Sequence, residues 1–331
     1  MDLIKNSINL LTKFDWKGRS LPQFMDEHDR LFREAVRTGD YGQVVTAFYT
    51  FMTPIIETGY GTSWHFCPPE HAGQSWEDSH LHLHQRMAQR LQLGAGMTAL
   101  EMGCGPGETM VDIAKASGAT LTGVALNQIE VDRANRLFAD RGMGGSCKAV
   151  RADMTAMPFE PGSFDAVYAI DALMYLPRIE SGFDEAFRML KPGGRLMVYG
   201  FVRRDGPDPD GVVEKIRHSQ ALPPWPTTAG NLAAAADAGF ELASQENLDD
   251  ESAFKWYYYF KGHSRLFWWI VTSKMFQAST QVQDRLGLLP KGFAKFDSIF
   301  LGGLIRNLVA AGEAGLISGS ELLVFRKPLA S

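Results

Sequence analysis

The feature that most constrains this chain is a run of three alternating glycines, Gly103, Gly105 and Gly107. A short apolar run beginning at Ala99 leads into the glycines, and residues 109–116 form a helix-like segment after them. Glycine carries no side chain and tolerates left-handed backbone angles, so a ligand can approach the chain closely at such a turn. The pattern predicts a strand, a ligand-binding turn and the first turn of a helix.

The residues around these glycines indicate which ligand the turn binds. A dinucleotide-binding fingerprint has its third glycine three positions after the second, whereas Glu108 stands at that position here. The acidic Glu101, before the first glycine, suits a cationic or hydroxyl-bearing ligand and would repel a pyrophosphate. The stretch therefore resembles motif I of S-adenosylmethionine-dependent methyltransferases. The resemblance implies S-adenosyl-L-methionine as cofactor and S-adenosyl-L-homocysteine as its product.

Composition narrows the class of protein further. The 331 residues suffice for one elaborated α/β domain or two small ones, and a net charge of -5 argues against a nucleic-acid partner. The three cysteines are odd in number and far apart, which argues against a disulfide framework and suits a reducing compartment. Because we recognise no signal peptide or apolar run of transmembrane length, we expect a cytoplasmic protein. Peripheral membrane contact and a homo-oligomer remain open.

Strands and helices alternate after the glycine turn. Further strands are predicted at 120–126, 147–153, 164–171, 195–199, 240–248 and 321–326, with helices at 130–141, 182–190 and 232–238. Strands joined by helices at this spacing favour an α/β, Rossmann-like fold of the class I methyltransferase type. We expect a mostly parallel seven-stranded sheet with helices on both faces, preceded by N-terminal helices.

Three domains are predicted along the chain. Residues 1–90 form an N-terminal helical segment with an aromatic substrate loop, and Pro54 is expected to mark a boundary within it. Residues 91–248 form the cofactor-binding core. Residues 249–331 contain a helical, aromatic-rich insertion that caps the site, followed by the last strand. Within the insertion, Trp268 and Trp269 are expected to pack in the core.

Polar residues at the carboxyl ends of the predicted strands are candidate cofactor ligands, because these ends meet at one edge of a parallel sheet. Besides Glu101 and the three glycines, they are Asn127 and Glu130 after the second strand, Asp153 and Met154 after the third, and Ile170 at the end of the fourth. Asn127 or Glu130 would accept hydrogen bonds from ribose hydroxyls. Asp153 would accept the adenine amino group and Met154 would pack on the ring.

Three histidines lie in a predicted helix at 76–93. His80 and His84 share one helical face, whereas His82 points elsewhere. No paired carboxylate completes a ligand set, so we expect packed or surface histidines and no metal.

Segments on either side of the core carry a more specific resemblance. Residues 57–66 form a glycine-broken aromatic segment, expected to be a loop, that looks like the YExGWGxSFHF signature of sterol C-24 methyltransferases. Residues 164–172 are similar to their FDAVYAIEA segment, and Trp256-Tyr257-Tyr258 resembles their PWYYPL. Segments at 286–292, 310–313 and 325–328 look like their C-terminal domain. The resemblance covers about residues 41–328.

The resemblance implies methyl transfer to an alkene carbon of a sterol or related isoprenoid through a carbocation. Aromatic faces stabilise a cation by roughly 0.5–2 kcal/mol each without reacting with it. The implied residues that contact the hydrophobic substrate are Trp64, Phe66, Tyr175, Tyr199, Trp256, Tyr257 and Tyr258. The catalytic candidates are Glu57, Asp171, His65 and Tyr60, for stabilising the cation or accepting the final proton, with Glu57 ranked first.

The chain departs from the family pattern at several positions. Ile56, Tyr175 and Gly200 stand where the family has a tyrosine, a histidine and an acid, so the acceptor stays open. Alternatives are a prenyl diphosphate, whose charge Arg203 and Arg204 could bind, a prenylated natural product, or a lipid-chain alkene as in cyclopropane synthases. A non-catalytic binding subunit is a further interpretation, which the intact glycines disfavour.

Overall fold

The computed structural model describes residues 20–60, 62–261, 269 and 272–329, without the side chains of residues 59 and 60. The chain divides into two compact units. The sheet unit comprises residues 62–203, 226–256 and 318–331. The helical unit comprises residues 1–61, 204–225 and 257–317. Each unit combines segments that are distant in sequence, and the three predicted domain boundaries stay predictions.

The sheet unit is built on seven strands. They are β1 (Thr98–Met102), β2 (Thr120–Ala125), β3 (Cys147–Arg151), β4 (Phe164–Ile170), β5 (Leu190–Arg203), β6 (Glu241–Asn247) and β7 (Ile317–Arg326). Their order across the sheet is β3-β2-β1-β4-β5-β7-β6. The pairs from β3 to β5 are parallel, and β6 and β7 form an antiparallel pair. The predicted class I methyltransferase fold is confirmed.

The helices have the following bounds. They are α1 (Leu21–Thr38), α2 (Gly42–Tyr60), α3 (Trp76–Arg90), α4 (Glu108–Ser117), α5 (Gln128–Asp140), α6 (Ile179–Met189), α7 (Val212–Ser219), α8 (Thr228–Asp237), α9 (Leu248–Glu251), α10 (Tyr258–Lys261), α11 (Lys274–Arg285), α12 (Phe293–Phe300) and α13 (Gly302–Glu313). The insertion before the last strand is therefore helical in its described parts, as predicted. No helix among the described residues is long and apolar enough to cross a membrane.

Two apolar layers bury the faces of the sheet. On one face, Met87, Ile113 and Phe138 of α3, α4 and α5 pack with Tyr168 and Tyr199 of the sheet. On the other, residues of α6 and α8 pack with alternate residues of the same strands, such as Phe183 with Val167, Leu196 and Leu323. Strands buried on both faces expose only their ends to ligands, which places the candidate site at the carboxyl edge.

The helical unit has an aromatic core of its own. Val44, Phe48, Met52 and Ile55, all buried, recur at helical spacing along α2 and share a cluster with Phe296 of α12. This apolar stripe continues on both sides of Pro54, and α2 runs through that proline to Tyr60. The expected boundary at Pro54 is therefore wrong, because burial of the stripe outweighs the roughly 3 kcal/mol cost of an internal proline.

Two further expectations differ from the structure. Residues 57–60 belong to the last turn of α2, so only the second half of the aromatic segment 57–66 is irregular. Trp269 is 64% exposed, so it does not pack in the core, and Trp268 lies outside the described residues. Strand β7 begins at Ile317, earlier than predicted, because the polar Ser318 and Ser320 are buried in the sheet, and β5 extends beyond its predicted bounds at both ends.

Candidate active site

The glycine turn lies at the carboxyl end of β1, as predicted. Gly103, Gly105 and Gly107 all have positive φ angles, of 79°, 49° and 88°. A side chain at Gly103 would place its Cβ 2.5 Å from Cβ of Ala172, so a glycine is required there for packing as well as for backbone angle. Gly107 is the N-cap of α4, which directs the helix N-terminus and its free amide groups towards the turn.

Glu101 is a buried acid one residue from the end of β1. The residue is 2% exposed, and its Oε2 accepts a hydrogen bond from the hydroxyl of Tyr168 at 3.1 Å. Burial raises the pKa of Glu101 to about 8, and the Tyr168 hydroxyl partly opposes that rise. A buried acid beside a side-chain-free turn fits the cationic part of S-adenosylmethionine, which would restore the ionised form of the carboxyl.

The candidate ribose and adenine ligands follow β2 and β3. Asn127 is the N-cap of α5, where its Oδ1 accepts the backbone N–H of Ile129 at 2.9 Å, and Glu130 is buried in the first turn. Asp153 is exposed, and its Oδ1 accepts from both the backbone and the hydroxyl of Thr155 at 2.8 Å. These contacts fix the loops that carry the side chains, and the assigned roles stay predictions.

Asp171 has an unusual position at the carboxyl end of β4. It follows Ile170, the buried last residue of that strand, and has a φ of 46°, a rare conformation for a residue with a side chain. Its Oδ1 accepts the backbone N–H of Phe201 at 2.8 Å, whereas its buried Oδ2 has no hydrogen-bond partner among the described residues. Although the residue as a whole is half-buried, burial of the carboxyl raises the pKa of Asp171 to about 7.

Gly200 explains how the Asp171 carboxyl fits at this position. Gly200 has a φ of 142°, and a Cβ on it would overlap Oδ1 of Asp171. The acid that the family pattern places at position 200 would therefore compete with Asp171 for the same space. In this chain the Asp171 carboxylate, at the end of β4, fills the space next to Gly200 of β5.

The irregular segment 62–66 lies against the glycine turn. The hydroxyl of Thr62 donates to Oε2 of Glu108 at 3.0 Å, and the half-buried Trp64 lies 3.8 Å from the Cβ position of Gly105. Sequence similarity alone connected this segment with the cofactor turn, and the structure places the two side by side. Trp64 is therefore positioned beside the candidate cofactor site.

His65 belongs to a buried polar chain. Its Nε2 lies 3.0 Å from Nε2 of His84, whose Nδ1 lies 2.8 Å from Oδ2 of Asp112 on α4. His80 on α3 lies 2.7 Å from the backbone oxygen of His65. Burial, followed by the neighbouring His80 and His84, lowers the pKa of His65 well below its usual value, so the ring is neutral. His80 and His84 of α3 are thus packed, whereas His82 is exposed, and the described residues contain no cluster suited to a metal ion.

Aromatic rings pack against Phe66, the last residue of the irregular segment 62–66. The Phe66 ring lies 5.4 Å from both Phe201 and Trp256, measured between centroids, and Phe201 meets Trp256 edge-on at 5.0 Å. The Tyr199 hydroxyl donates to the backbone oxygen of Phe66 at 2.6 Å. Trp256 and Tyr199 are each only 1% exposed, so both are core residues that support the half-buried Phe66.

The remaining predicted site residues make no described contact with the glycine turn or with Asp171. Glu57, Tyr257 and Tyr258 are half-buried residues of the helical unit, and their roles stay predictions. Tyr60 ends α2, and its side chain lies outside the described residues. In the sheet unit, Met154 packs at the edge of the apolar layer with α6 and α8. Tyr175 ends a 3-10 turn, Leu173–Tyr175, directly after β4.

Sequence reasoning did not find four residues that define the site. Tyr168 is the partner of Glu101, Asp112 ends the histidine chain, and Phe201 connects Asp171 to the aromatic rings. Asn231 at the start of α8 lines the same cavity as Asp171. Phe201 lies two residues beyond Tyr199 on one strand, a period-2 signal that could have been read. The others depend on contacts across the fold, which no local pattern encodes.

Comparison with known proteins agrees with this geometry. A family model described as a methyltransferase domain matches residues 100–198, which run from β1 to β5. The chain is 34% identical over 327 residues to sterol 4-C-methyltransferase strm-1 of Caenorhabditis elegans, covering 97% of each chain. It is 32% identical over 314 residues to sterol 24-C-methyltransferase erg-4 of Neurospora crassa, covering 90% of this chain and 82% of the relative.

A solved structure shows the same fold. The geranyl diphosphate C-methyltransferase of Streptomyces coelicolor A3(2), in complex with Mg2+, geranyl diphosphate and S-adenosyl-L-homocysteine, superposes with a TM-score of 0.65 at 16% identity. The match covers 87% of this chain and 98% of that one. The fold, the matched methyltransferase domain and the two sterol methyltransferase relatives together define an S-adenosylmethionine-dependent C-methyltransferase. Within that class, the chain belongs to the sterol C-methyltransferase family.

Proposed function

We propose that this enzyme transfers a methyl group to a carbon atom of a sterol or a related isoprenoid. The observation that carries the proposal is the buried Oδ2 of Asp171 at the end of β4, which has no partner in the part of the chain that the structure describes and lies close to the aromatic residue Phe201. After methyl transfer to carbon, the acceptor must lose a proton. A carboxylate in this position can accept that proton. The names of the two sterol methyltransferase relatives support the substrate class.

The residues divide the work between two strand ends. S-adenosylmethionine, when bound, supplies an electrophilic methyl group. The glycine turn and Glu101 hold the cofactor, and Trp64 lies beside the turn. Asn127, Glu130 and Asp153 contact its ribose and adenine. Phe66 presents an aromatic face that excludes water and stabilises positive charge on the substrate.

Asp171 accepts the proton. A C–H bond next to the cationic carbon breaks, its electron pair forms a carbon–carbon double bond, and the proton bonds to the Asp171 carboxylate. A pKa of about 7 leaves a substantial ionised fraction at neutral pH and makes the carboxylate a stronger base than an exposed aspartate. This assignment moves Asp171 ahead of Glu57, while Glu57 and His65 remain candidates for stabilising the cation.

A second candidate is methylation at sterol C-4. The nematode relative named for that position is 34% identical over nearly the whole chain, and this enzyme also lacks the family's tyrosine at Ile56 and acid at Gly200. Where the acceptor carbon is not part of an alkene, it must lie next to a carbonyl group, as C-4 does in a 3-ketosterol. A base then removes its proton, and the resulting enolate carbon takes the methyl group. The raised pKa of Asp171, which leaves a carboxylate more basic than usual, suits that order as well.

A substrate panel with deuterated-methyl cofactor tests the proposal. The panel contains a Δ24 sterol, the same sterol with a saturated side chain, squalene, farnesyl diphosphate and an unsaturated phospholipid, and mass spectrometry locates the label. Label in the side chain of the Δ24 sterol alone supports C-24 methylation, and label in the ring system of both sterols supports C-4. Calorimetry with the cofactor comes first. Cofactor binding with no label in any sterol or in squalene would refute the proposed substrate class.

Peripheral membrane contact and self-association are also proposed. Trp269 is 64% exposed, and an exposed tryptophan is suited to the interface of a bilayer. A sterol dissolves in the bilayer, so an enzyme that contacts the membrane surface would reach its substrate directly. Flotation with sterol-containing vesicles and light scattering test these two points.

A further inference from the structure

The cavity beside Asp171 is lined by polar side chains, two of which carry a buried oxygen with no hydrogen-bond partner among the residues that the structure describes. Its lining includes Asp171 from the end of β4, Asn231 from α8, Tyr199 from β5 and Glu321 from β7. The cavity has a volume of about 20 Å³. One water molecule needs roughly 10–15 Å³ by that measure, so the cavity has room for a single hydroxyl group.

Two acceptor atoms of this cavity are unsatisfied. Oδ2 of Asp171 and Oδ1 of Asn231 are buried and make no hydrogen bond with any described residue. Asn231 as a whole is only 3% exposed. A buried polar atom left unpaired costs about 1–3 kcal/mol, so two in one cavity indicate a missing donor.

Glu321, in contrast to Asp171 and Asn231, is an acceptor whose oxygens already have hydrogen-bond donors. It is 3% exposed, and its two oxygens accept hydrogen bonds from the hydroxyl of Thr228 at 2.9 and 2.7 Å. Gln245 donates to it at 3.3 Å. Apart from Asp171, the titratable groups that line the cavity are this carboxylate and the Tyr199 hydroxyl, which already donates to the backbone of Phe66. The cavity therefore offers acceptors and requires a donor from outside.

We propose that the cavity binds a hydroxyl group, from water or from the substrate, that Asn231 positions to donate a hydrogen bond to Oδ2 of Asp171. A water donates its second O–H to Oδ1 of Asn231, whereas the oxygen of a substrate hydroxyl, whose single proton goes to Asp171, accepts from the Asn231 amide N–H. The proposal rests on the proposed function in so far as Asp171 is the proton acceptor. The bound hydroxyl stabilises the carboxylate before it accepts the proton. When Asp171 is protonated, its O–H donates to the same hydroxyl oxygen. Asn231 is therefore a positioning residue.

The test measures the pKa of Asp171 directly, without turnover. Carboxyl 13C NMR of aspartate-labelled protein is titrated with bound cofactor, and the Asp171 signal is assigned by its loss in Asp171→Asn. Asn231→Leu fills the cavity with apolar atoms and should raise the pKa of Asp171 by about one pH unit, because the carboxylate loses a donor. Asn231→Ala removes the amide without adding bulk, so it carries the test if the leucine variant fails to fold.

A matched control separates this effect from a general loss of packing. Ser320 is fully buried and its hydroxyl also lacks a partner, but it does not line the cavity. Ser320→Ala should leave the pKa of Asp171 unchanged. A similar rise in Ser320→Ala and in the Asn231 variants would overturn the proposal.

The source of the hydroxyl is decided by three arms of the titration. A difference between wild type and Asn231→Leu without sterol identifies water. A difference that arises only with a 3-hydroxysterol, and not with its 3-O-methyl ether, identifies the substrate hydroxyl and requires methylation at C-4, because C-24 lies at the opposite end of a sterol from the 3-hydroxyl. No difference in any arm overturns the proposal. If the wild type methylates no sterol, the proposed function fails, and the sterol-free arm alone still decides whether water occupies the cavity.

Discussion

Two buried carboxylic acids at neighbouring strand ends differ in how they are held. Glu101 at the end of β1 accepts the Tyr168 hydroxyl and lies beside a turn without side chains. Asp171 at the end of β4 has one paired oxygen and one without a partner in the described part of the chain, on a backbone with a φ of 46°. Burial raises the pKa of both, to about 8 and about 7. The proposed division of work, in which Glu101 binds a charge and Asp171 takes a proton, rests on this difference.

The largest expected effect follows loss of the acid at β4. Asp171→Asn keeps the shape of the side chain but removes the base, so kcat should fall about 10²–10⁴-fold, the usual contribution of a positioned base. The cofactor Kd should stay within about threefold, because the cofactor contacts β1. Steady-state kinetics and calorimetry measure the two quantities. A kcat within twofold of the wild type would assign the proton to another residue, and Glu57→Gln would then be tested first.

Loss of the acid at β1 should give the opposite pattern. Glu101→Gln removes the negative charge that faces the cationic cofactor, so Kd should rise about 30–100-fold, or roughly 2–3 kcal/mol. The rate at saturating cofactor should change much less. Unchanged affinity in calorimetry would refute the role of Glu101.

The same variant should not be less stable than the wild type above pH 8. The folded pKa of Glu101 lies above its unfolded value, so its contribution to stability is present below about pH 4.3 and is lost as pH rises through about 8. A neutral glutamine avoids the cost of ionising a buried acid. Thermal unfolding at pH 6 and pH 9 measures this: the wild type should lose more stability than Glu101→Gln between the two.

Substituting one glycine beside each acid tests the same two roles by changing the packing around them. Gly103→Ala would place a methyl group against Ala172 and distort the cofactor turn, so the cofactor Kd should rise about tenfold. Gly200→Ala would displace the Asp171 carboxyl, so kcat should fall about tenfold while Kd is kept. Gly142→Ala is the control, because Gly142 also has a positive φ but has no atom near its Cβ position. Equal effects of all three would mean that backbone strain alone is responsible.

The smallest effect is a pH dependence of cofactor affinity. Below about pH 8 the free protein holds a proton on Glu101, and a cationic ligand favours the ionised form. Binding should therefore release a proton, and affinity should rise about fivefold between pH 7 and pH 8 and then level off. Calorimetry in buffers of different ionisation enthalpy counts the proton. The release should be absent in Glu101→Gln.

The strand ends were predictable and their partners were not. Apolar runs and glycines placed β1 and β4, and similarity of residues 164–172 to a known family identified Asp171. The unpaired oxygen of Asp171, however, depends on Gly200 and Phe201 of β5 and on Asn231 of α8, residues 29 to 60 positions away. Local propensity also failed at Pro54, where burial on both sides of the proline keeps α2 continuous. Contacts between distant segments decide both points.

The central claim is the division of work between Glu101 and Asp171, and one crossed measurement tests it. Cofactor Kd and the single-turnover rate of sterol methylation at saturating cofactor are measured for wild type, Glu101→Gln and Asp171→Asn. The prediction is that Kd rises only in Glu101→Gln and that the rate falls only in Asp171→Asn. If each variant lowers both affinity and rate to a similar extent, the two acids act as one site and the account is contradicted.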